Sequence, residues 1–190
     1  AYGVTAAANL EGATIKYWNE ETEAYDLDES PTWTDFTDGA KTVKFQATLY
    51  GYEPATGEAT VTINKRPVTI QATAAEKYYG TADPSFADAS MSGQVTGELT
   101  DVDLKVTRSD AGDDTVKVHE GVLSISKTAS ELEAAHTNYT FTVTPADFTV
   151  KTNDQGALTV SAANVEKTYD ANAYGVTAAA NLEGATIKYW

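Results

Sequence analysis

Apolar and polar positions alternate along most of the chain. From residue 42 to 50 the sequence reads TVKFQATLY, and every second residue from Val43 onward is apolar. Alternation with a period of two, rich in β-branched and aromatic residues, is typical of strands that bury one face. The pattern therefore predicts an all-β protein.

The same alternation returns between turns rich in Gly and Asp. The predicted strands cover residues 12–18, 42–50, 60–63, 68–73, 103–108, 115–118, 121–126, 138–144 and 146–151. A helical pattern occurs at residues 130–136, but a segment this short is not stable by itself. Short strands separated by frequent turns favour small sandwich-like modules.

An 18-residue segment occurs twice in the chain. Residues 1–18 and 173–190 both read AYGVTAAANLEGATIKYW, and 173 − 1 gives an offset of 172. The chain therefore spans one period and the beginning of the next, as expected for a piece of a longer tandem array.

A weaker repeat divides the period into two modules. The segment VTIQATAAEKYYG at 68–80 aligns with LTVSAANVEKTYD at 158–170. We define module A as residues 1–66, module B as residues 67–157, and the tail, which begins the next module A, as residues 158–190. The linkers at 64–67 and 151–156 are short, which predicts an extended and stiff array.

Module B carries three short motifs in order, and these resemble the MBG-type repeats (Tyr-Gly variety) of bacterial surface proteins. The motifs are Lys77-Tyr78-Tyr79-Gly80, Asp83-Pro84 and Asn138-Tyr139-Thr140-Phe141. Module A resembles bacterial Ig-like repeats through Lys167-Thr168-Tyr169-Asp170, Gly12-Ala13-Thr14-Ile15-Lys16-Tyr17, Ser30-Pro31-Thr32, Gly51-Tyr52-Glu53 and Thr60-Val61-Thr62-Ile63.

The resemblance implies a fold, a location and a role. The expected fold is a series of small Ig-like β-sandwich modules, with a ubiquitin-like β-grasp as the alternative. The expected location is extracellular, in a Gram-positive adhesin attached to the cell wall. The role implied by the resemblance is structural or adhesive, and the exact 18-residue repeat favours a stiff spacer that projects a distal binding domain. The alternative is that each repeat binds mucin or glycans weakly and acts through avidity. No catalytic residues are implied, and the chain is not expected to be an enzyme.

The composition of the chain disfavours several classes of binding partner. The formal net charge of −15 and the pI near 4.3 disfavour binding to nucleic acid or to anionic membrane surfaces. No apolar run approaches the roughly 18 residues of a membrane span, so membrane insertion is not expected. The absence of cysteine excludes disulfides and thiolate metal sites.

Candidate metal ligands are sparse, and no cofactor is expected. His119 and His136 have no second His or Cys nearby in the sequence, which disfavours a transition-metal site. Asp110, Asp113 and Asp114 offer the hard oxygen ligands that calcium prefers, but their spacing does not match an EF-hand. Solvated turn carboxylates are therefore the favoured interpretation, with calcium as the alternative.

Four aromatic residues of module A are candidates for stacking on sugar rings: Trp18, Trp33, Tyr50 and Tyr52. A small module also needs large side chains to fill its core. Core packing is favoured for Trp33, whereas Trp18 fits both interpretations.

Module A begins without the strand that precedes the 18-residue segment in the tail. We therefore expect residues 157–172 of a neighbouring repeat to complete it, in a head-to-tail contact.

Overall fold

The computed structural model describes residues 1–153, 156, 158–182 and 184–190. This part of the chain forms thirteen short strands in several sheets and one short helix, which confirms the predicted all-β, sandwich-like class. Of the predicted second linker, residues 154 and 155 lie outside the described residues, as does Ala157 at the end of module B. Among the described helices, none is long and apolar enough to cross a membrane.

Module A is a four-stranded antiparallel sheet. Its strands are β1 (Thr14–Asn19), β2 (Ala24–Leu27), β3 (Lys41–Thr48) and β4 (Ala55–Val61), in the order β2-β1-β3-β4. The strand β2 was not predicted; it is held by pairing with β1, where Trp18 lies opposite Tyr25. The alternation predicted around Val43 places its side chain in the core.

The core of module A also fixes the segment that precedes β1. Tyr17 is buried with Val43 and Val61, and its hydroxyl donates to the carbonyl of Val4 at 3.1 Å. The same hydroxyl accepts a hydrogen bond from the backbone N–H of Ala6 at 3.1 Å. A buried tyrosine needs partners for its hydroxyl, so these bonds hold residues 4–6 against the sheet.

Module B contains two sheets and a helix. Its elements are β5 (Arg66–Gln71), β6 (Ala75–Tyr78), β7 (Ser90–Ser92), β8 (Val106–Arg108), β9 (Val118–Ile125), α1 (Ala129–Ala135), β10 (Tyr139–Thr144) and β11 (Ala146–Lys151). One sheet has the order β10-β5-β7, and the other has the order β6-β11-β9-β8.

The first two strands of module B pair in parallel with its last two strands, one pair in each sheet. β10 pairs in parallel with β5, and β11 pairs in parallel with β6, with an offset of 73 residues in each pairing (139 − 66 and 148 − 75). Pro145 lies between β10 and β11 and has no N–H to donate, which suits the point where the strand leaves one sheet for the other. The largest side chains enclosed by the two sheets and the helix are those of Phe148, Ile70, Leu123 and Leu132.

Three details of module B differ from the sequence prediction. Residues 115–117 of the predicted strand 115–118 are not in a strand, and β9 runs from Val118 to Ile125, through Gly121 at a φ of +63°. The short strands β6 and β7 were missed. The helical pattern at 130–136 forms α1, stabilised by a capping box between Thr128 and Glu131 and by burial of Leu132.

The tail contains two short strands that pair with each other. β12 (Val160–Ala162) and β13 (Ala178–Ala180) are antiparallel, with Ser161 opposite Ala179. β13 lies in the second copy of the 18-residue segment.

The junction between modules A and B is held by the side chain of Asn138. Its Oδ1 accepts from the backbone N–H of Phe36 at 2.7 Å, and its Nδ2 donates to Asp35 at 2.8 Å. The backbone carbonyl of Asn138 also accepts from the N–H of Arg66 at 2.9 Å. One residue of module B therefore contacts both a loop of module A and the strand that follows the linker.

Candidate functional site

Charged side chains gather at one end of the four-stranded sheet of module B. Lys77 lies on β6, Arg108 on β8 and His119 on β9, and all three are buried. We call them, with the carboxylates around them, the charge cluster: Lys77, Asp83, Arg108, Asp110, Asp113, Asp114 and His119.

Arg108 lies at the centre of the cluster with its side chain only 1% exposed. Its Nε donates to Asp110 at 2.7 Å, and its Nη1 donates to both oxygens of Asp83 at 3.1 and 3.2 Å. The guanidinium also lies 4.3 Å from the centroid of the Phe148 ring. A planar cation with five donors suits this position, because it can pair with several acceptors and stack on a ring.

Lys77 joins two carboxylates from different loops. Its Nζ lies 2.7 Å from Asp83 and 2.5 Å from Asp114, and its side chain is 6% exposed. The loop after β6 and the turn between β8 and β9 are therefore held together by one ammonium group.

His119 contacts an oxygen with each ring nitrogen. Its Nδ1 lies 2.5 Å from Asp110 and 3.7 Å from Asp113, and its Nε2 lies 3.0 Å from the carbonyl oxygen of Thr115. The doubly protonated ring is the form that donates to both sides at once.

The ion pairs shift the pKa values of the charged groups. The hydrogen bond to Lys77 lowers the pKa of Asp83, and hydrogen bonds to Asp114 and Asp83 raise that of Lys77. Burial acts to raise the pKa of Asp110, but hydrogen bonds from Arg108 and His119 outweigh it and leave this pKa lowered. The groups are thus held in their charged forms, as expected for an ionic scaffold.

Hydrogen bonds within the turn also order the carboxylate of Asp113. The side-chain hydroxyl and backbone N–H of Thr115 donate to Asp113 at 2.6 and 3.0 Å and hold the pKa of that carboxyl well below its usual range. Lys117 lies 3.3 Å from the same carboxylate.

The three carboxylates that the sequence offers as calcium ligands, those of Asp110, Asp113 and Asp114, do not all come together in the structure. Asp110 and Asp113 come together with His119, and their ligand atoms lie within 4.8 Å of one another. Asp114 pairs with Lys77 instead. Arg108 and Lys117 bind the oxygens that a metal ion would need, so the favoured role of the cluster is structural. The other histidine, His136, lies 3.7 Å from Asp101 and packs beside Phe141.

The motif residues Lys77 and Asp83, which are six positions apart in the sequence, are ion-pair partners in this cluster, and Asn138 of the third motif holds the module junction. Residues 68–149 match the family model of the MBG domain (YGX type). No curated protein and no solved structure gave a significant match to the chain.

The match lies within module B and confirms its resemblance to MBG-type repeats. The MBG domain is a non-enzymatic, adhesin-type module and is typical of surface proteins. The resemblance of module A to Ig-like repeats stays a prediction. The charge cluster therefore lies inside the MBG domain, where it joins β6, β8 and β9 to the loops between them.

The four aromatic candidates for glycan stacking lie in different places on module A. Trp33 packs against the core and pairs through its backbone with Tyr2, whereas Trp18 is half-buried and packs edge-on against Tyr25 at 5.1 Å. Tyr50 and Tyr52 are exposed, in the turn between β3 and β4.

Trp18 and the exposed tyrosines are far apart along the sheet. The pairing of β1 with β3 places Trp18 near Lys44, whose Nζ lies 5.7 Å from the indole centroid. Thr48 ends β3 before Tyr50, and four residues of strand already span about 13 Å. The four aromatic side chains therefore do not form one continuous platform.

Sequence reasoning missed the basic half of the charge cluster. Arg108 lies two residues after Val106 on β8, and Lys77 lies two residues after Ala75 on β6. Residues two apart on a strand share a face, so each basic residue occupies an inward position. A basic residue at an inward position of a short strand is a usable signal, because such a residue is rarely buried without a partner.

Proposed function

We propose that the chain is the repeating section of a bacterial cell-surface protein and acts as a stiff spacer that projects a distal binding domain. The observation that carries the proposal is the identical 18-residue segment at an offset of 172. An array of such periods changes its length by whole units, and no surface of a single unit needs to bind a ligand. The family match in module B supports a surface-protein repeat.

Contacts at the junction between modules A and B support the proposed stiffness of the array. Asn138 makes two side-chain hydrogen bonds to the loop at residues 35 and 36 of module A. The Nζ of Lys65, in the linker itself, lies 5.1 Å from the centroid of the Phe36 ring. A linker of a few residues with contacts on both sides restricts the angles between neighbouring modules.

The charge supports a role outside the cell that does not involve nucleic acid. A formal net charge of −15 keeps a long, displayed array soluble and disfavours association between parallel arrays. Gram-positive origin, attachment to the cell wall and extracellular location are part of the same proposal.

A second candidate function is weak glycan or mucin binding by each repeat. The observation that favours it is the pair of Trp18 and Tyr25, which lies beside Lys44 and is half-exposed. Aromatic faces stack on sugars, and many weak sites in an array give strong attachment.

Binding to purified mucins and to a panel of defined glycans separates the two functions. The spacer proposal predicts that a chain of two periods binds none of them above a Trp18→Ala variant of the same chain. Circular dichroism and thermal unfolding would show that the variant is folded. Binding by the parent chain that disappears in the folded Trp18→Ala variant would overturn the spacer proposal in favour of an adhesive repeat.

A further inference from the structure

Lys77 is in unusually close contact with one carboxyl group of the charge cluster. Its side chain is 6% exposed, and its Nζ lies 2.5 Å from Oδ1 of Asp114. That oxygen is buried, yet no donor in the described part of the chain is well aligned for a hydrogen bond to it. Because buried polar atoms nearly always have such a partner, the contact needs an explanation beyond an ordinary ion pair.

A second carboxylate lies against the same nitrogen. The Nζ of Lys77 is 2.7 Å from Oδ1 of Asp83, whose two oxygens also accept hydrogen bonds from Nη1 of Arg108 at 3.1 and 3.2 Å. Arg108 therefore holds Asp83 in position as a carboxylate. Among the described residues, Asp114 has an ion pair with Lys77 alone. The amine thus lies between a fixed base and a carboxyl group that no other cation holds, which is the arrangement of an activated lysine nucleophile.

We propose that Lys77 and Asp114 condense into an isopeptide bond, an amide between their side chains, with Asp83 as the base. Asp83 takes one proton from Nζ, and the freed electron pair of the nitrogen forms a bond to Cγ of Asp114. The bond from Cγ to one Asp114 oxygen then breaks. This oxygen leaves as water, with the proton from Asp83 and a second proton from Nζ. The product is a neutral amide that keeps one N–H, and Asp83 is again a carboxylate.

Contact and burial both favour this condensation over the ion pair. Reacting groups that are held in contact reach effective concentrations of about 10⁵–10⁸ M, far above those of free groups in water. An ion pair that is taken out of water also carries a desolvation cost, which the neutral amide removes. The side chain of Asp114 is 38% exposed, which leaves the departing water a path to solvent.

The charge of Lys77 makes the reaction slow. The two carboxylates raise the pKa of Lys77 through their hydrogen bonds, so the neutral amine that reacts is the minor form. A bond that forms only once in each molecule tolerates such a rate.

The isopeptide bond ties the loop after β6 to the turn between β8 and β9. The amide N–H stays beside Asp83, and Arg108 keeps its contacts with that carboxylate, so the rest of the charge cluster is unchanged. Positions 77 and 114 enclose 36 residues (114 − 77 − 1). A chain that is pulled from its two ends cannot extend these residues, which adds resistance to force whether or not the array acts as a spacer.

Intact mass spectrometry of the folded chain tests for the bond. The mass is expected to be lower than that of the sequence by one water molecule. Trypsin should then leave the chain uncut after Lys77 and yield residues 66–105 joined to residues 109–117. The joined peptides distinguish the isopeptide bond from a cyclic imide at an aspartate, which also loses one water but joins no peptides.

Substitutions at the three groups are expected to give different masses. Lys77→Arg keeps a cation but removes the reactive amine, and it should have the full mass of its sequence. Asp114→Asn should still form the bond, with loss of ammonia in place of water. Asp83→Asn removes the base and should slow bond formation at least tenfold. Lys117→Arg is the matched control, because it changes the exposed ion pair with Asp113 on the same turn and should lose one water as the parent does.

Several outcomes would overturn this assignment. A folded parent chain that keeps its full sequence mass after prolonged incubation at neutral pH has no isopeptide bond. Loss of water that persists in Lys77→Arg, shown to be folded by circular dichroism, would place the reaction elsewhere. A link found within residues 66–105 alone would make Asp83 the partner, and Asp83→Asn reacting at the parent rate would exclude that residue as the base. None of these readouts depends on the spacer function.

Discussion

Arg108 shows how a single residue organises the MBG domain. Its guanidinium is 1% exposed, yet two carboxylates accept hydrogen bonds from it and Phe148 covers one of its faces. A buried cation is tolerated only when its partners replace the lost water, and removal of one member leaves the others unpaired.

Arg108→Met is expected to destabilise module B by about 3–5 kcal/mol, because Asp83 and Asp110 lose their shared cation while the volume is largely kept. The free energy of unfolding from urea titration measures the effect. Lys117→Met is the matched control, since Lys117 is 51% exposed and its ion pair with Asp113 is at the surface. A similar free energy for both variants would contradict a scaffold role for the cluster.

Acid is expected to destabilise the chain through the same cluster. The pKa values of Asp83 and Asp110 are lowered in the folded state, by the hydrogen bond to Lys77 and by those from Arg108 and His119, respectively. The stability that they provide is therefore fully present above the unfolded-state pKa of about 4 and is lost as the pH falls through the lower, folded-state values.

The pH dependence of the unfolding free energy between pH 2 and 7 measures this linkage. A variant with Asp83→Asn and Asp110→Asn should show a shallower loss below pH 4, even if it is less stable at pH 7. Parallel curves for the variant and the parent would contradict the assignment.

At the scale of elements, the repeated segment shows the effect of tertiary context on an identical sequence. Residues 14–18 form part of β1 because β2 and β3 pair with both of its edges, whereas residues 186–190 have the same side chains and are not in a strand. Strand propensity alone therefore does not decide the structure; the neighbouring strand does.

A close contact between β3 and β4 gives a test at this scale. A Cβ at Gly57 would lie 2.6 Å from the ring of Phe45, which packs edge-on against Tyr17. Gly57→Ala is therefore expected to displace this ring and to cost module A about 1–3 kcal/mol. Thermal unfolding measures the loss. Gly175→Ala is the control, because a Cβ there meets no atom within 4 Å and the residue has no positive φ; an equal loss would contradict the packing argument.

The sequence predicts most strands but few of the contacts that join them. The alternation around Val43 predicts β3, and the run from residue 138 to 151 predicts β10 and β11. The short strands β6 and β7 have no comparable pattern, and the parallel pairing of β5 with β10 spans 73 residues. Turn chemistry carries no information about such distant partners.

The candidate site is less predictable than the fold. Acidic residues at 110, 113 and 114 stand out in the sequence, but their cationic partners Lys77 and Arg108 come from distant strands. Without the topology, the sequence favours solvated turn carboxylates, with calcium ligands as the alternative, and neither interpretation includes a buried ion-pair cluster.

At the scale of the whole molecule, the junction between modules determines whether an array is stiff. Asn138→Ala removes both side-chain hydrogen bonds to residues 35 and 36 and is expected to loosen this junction without unfolding either module. Small-angle scattering should show a broader distribution of distances for this variant. Thr137→Ala, at the exposed neighbouring residue, is the control and should match the parent; identical profiles for all three chains would contradict the role of Asn138.

Consecutive periods that form a stiff spacer should lengthen the molecule in proportion to their number, and chains with one, two and four periods provide the test. Small-angle scattering at low concentration gives the maximum dimension of each chain. A stiff spacer predicts a constant increment for every added period of 172 residues. Growth with about the square root of the number of periods, as for flexibly linked modules, would contradict the account.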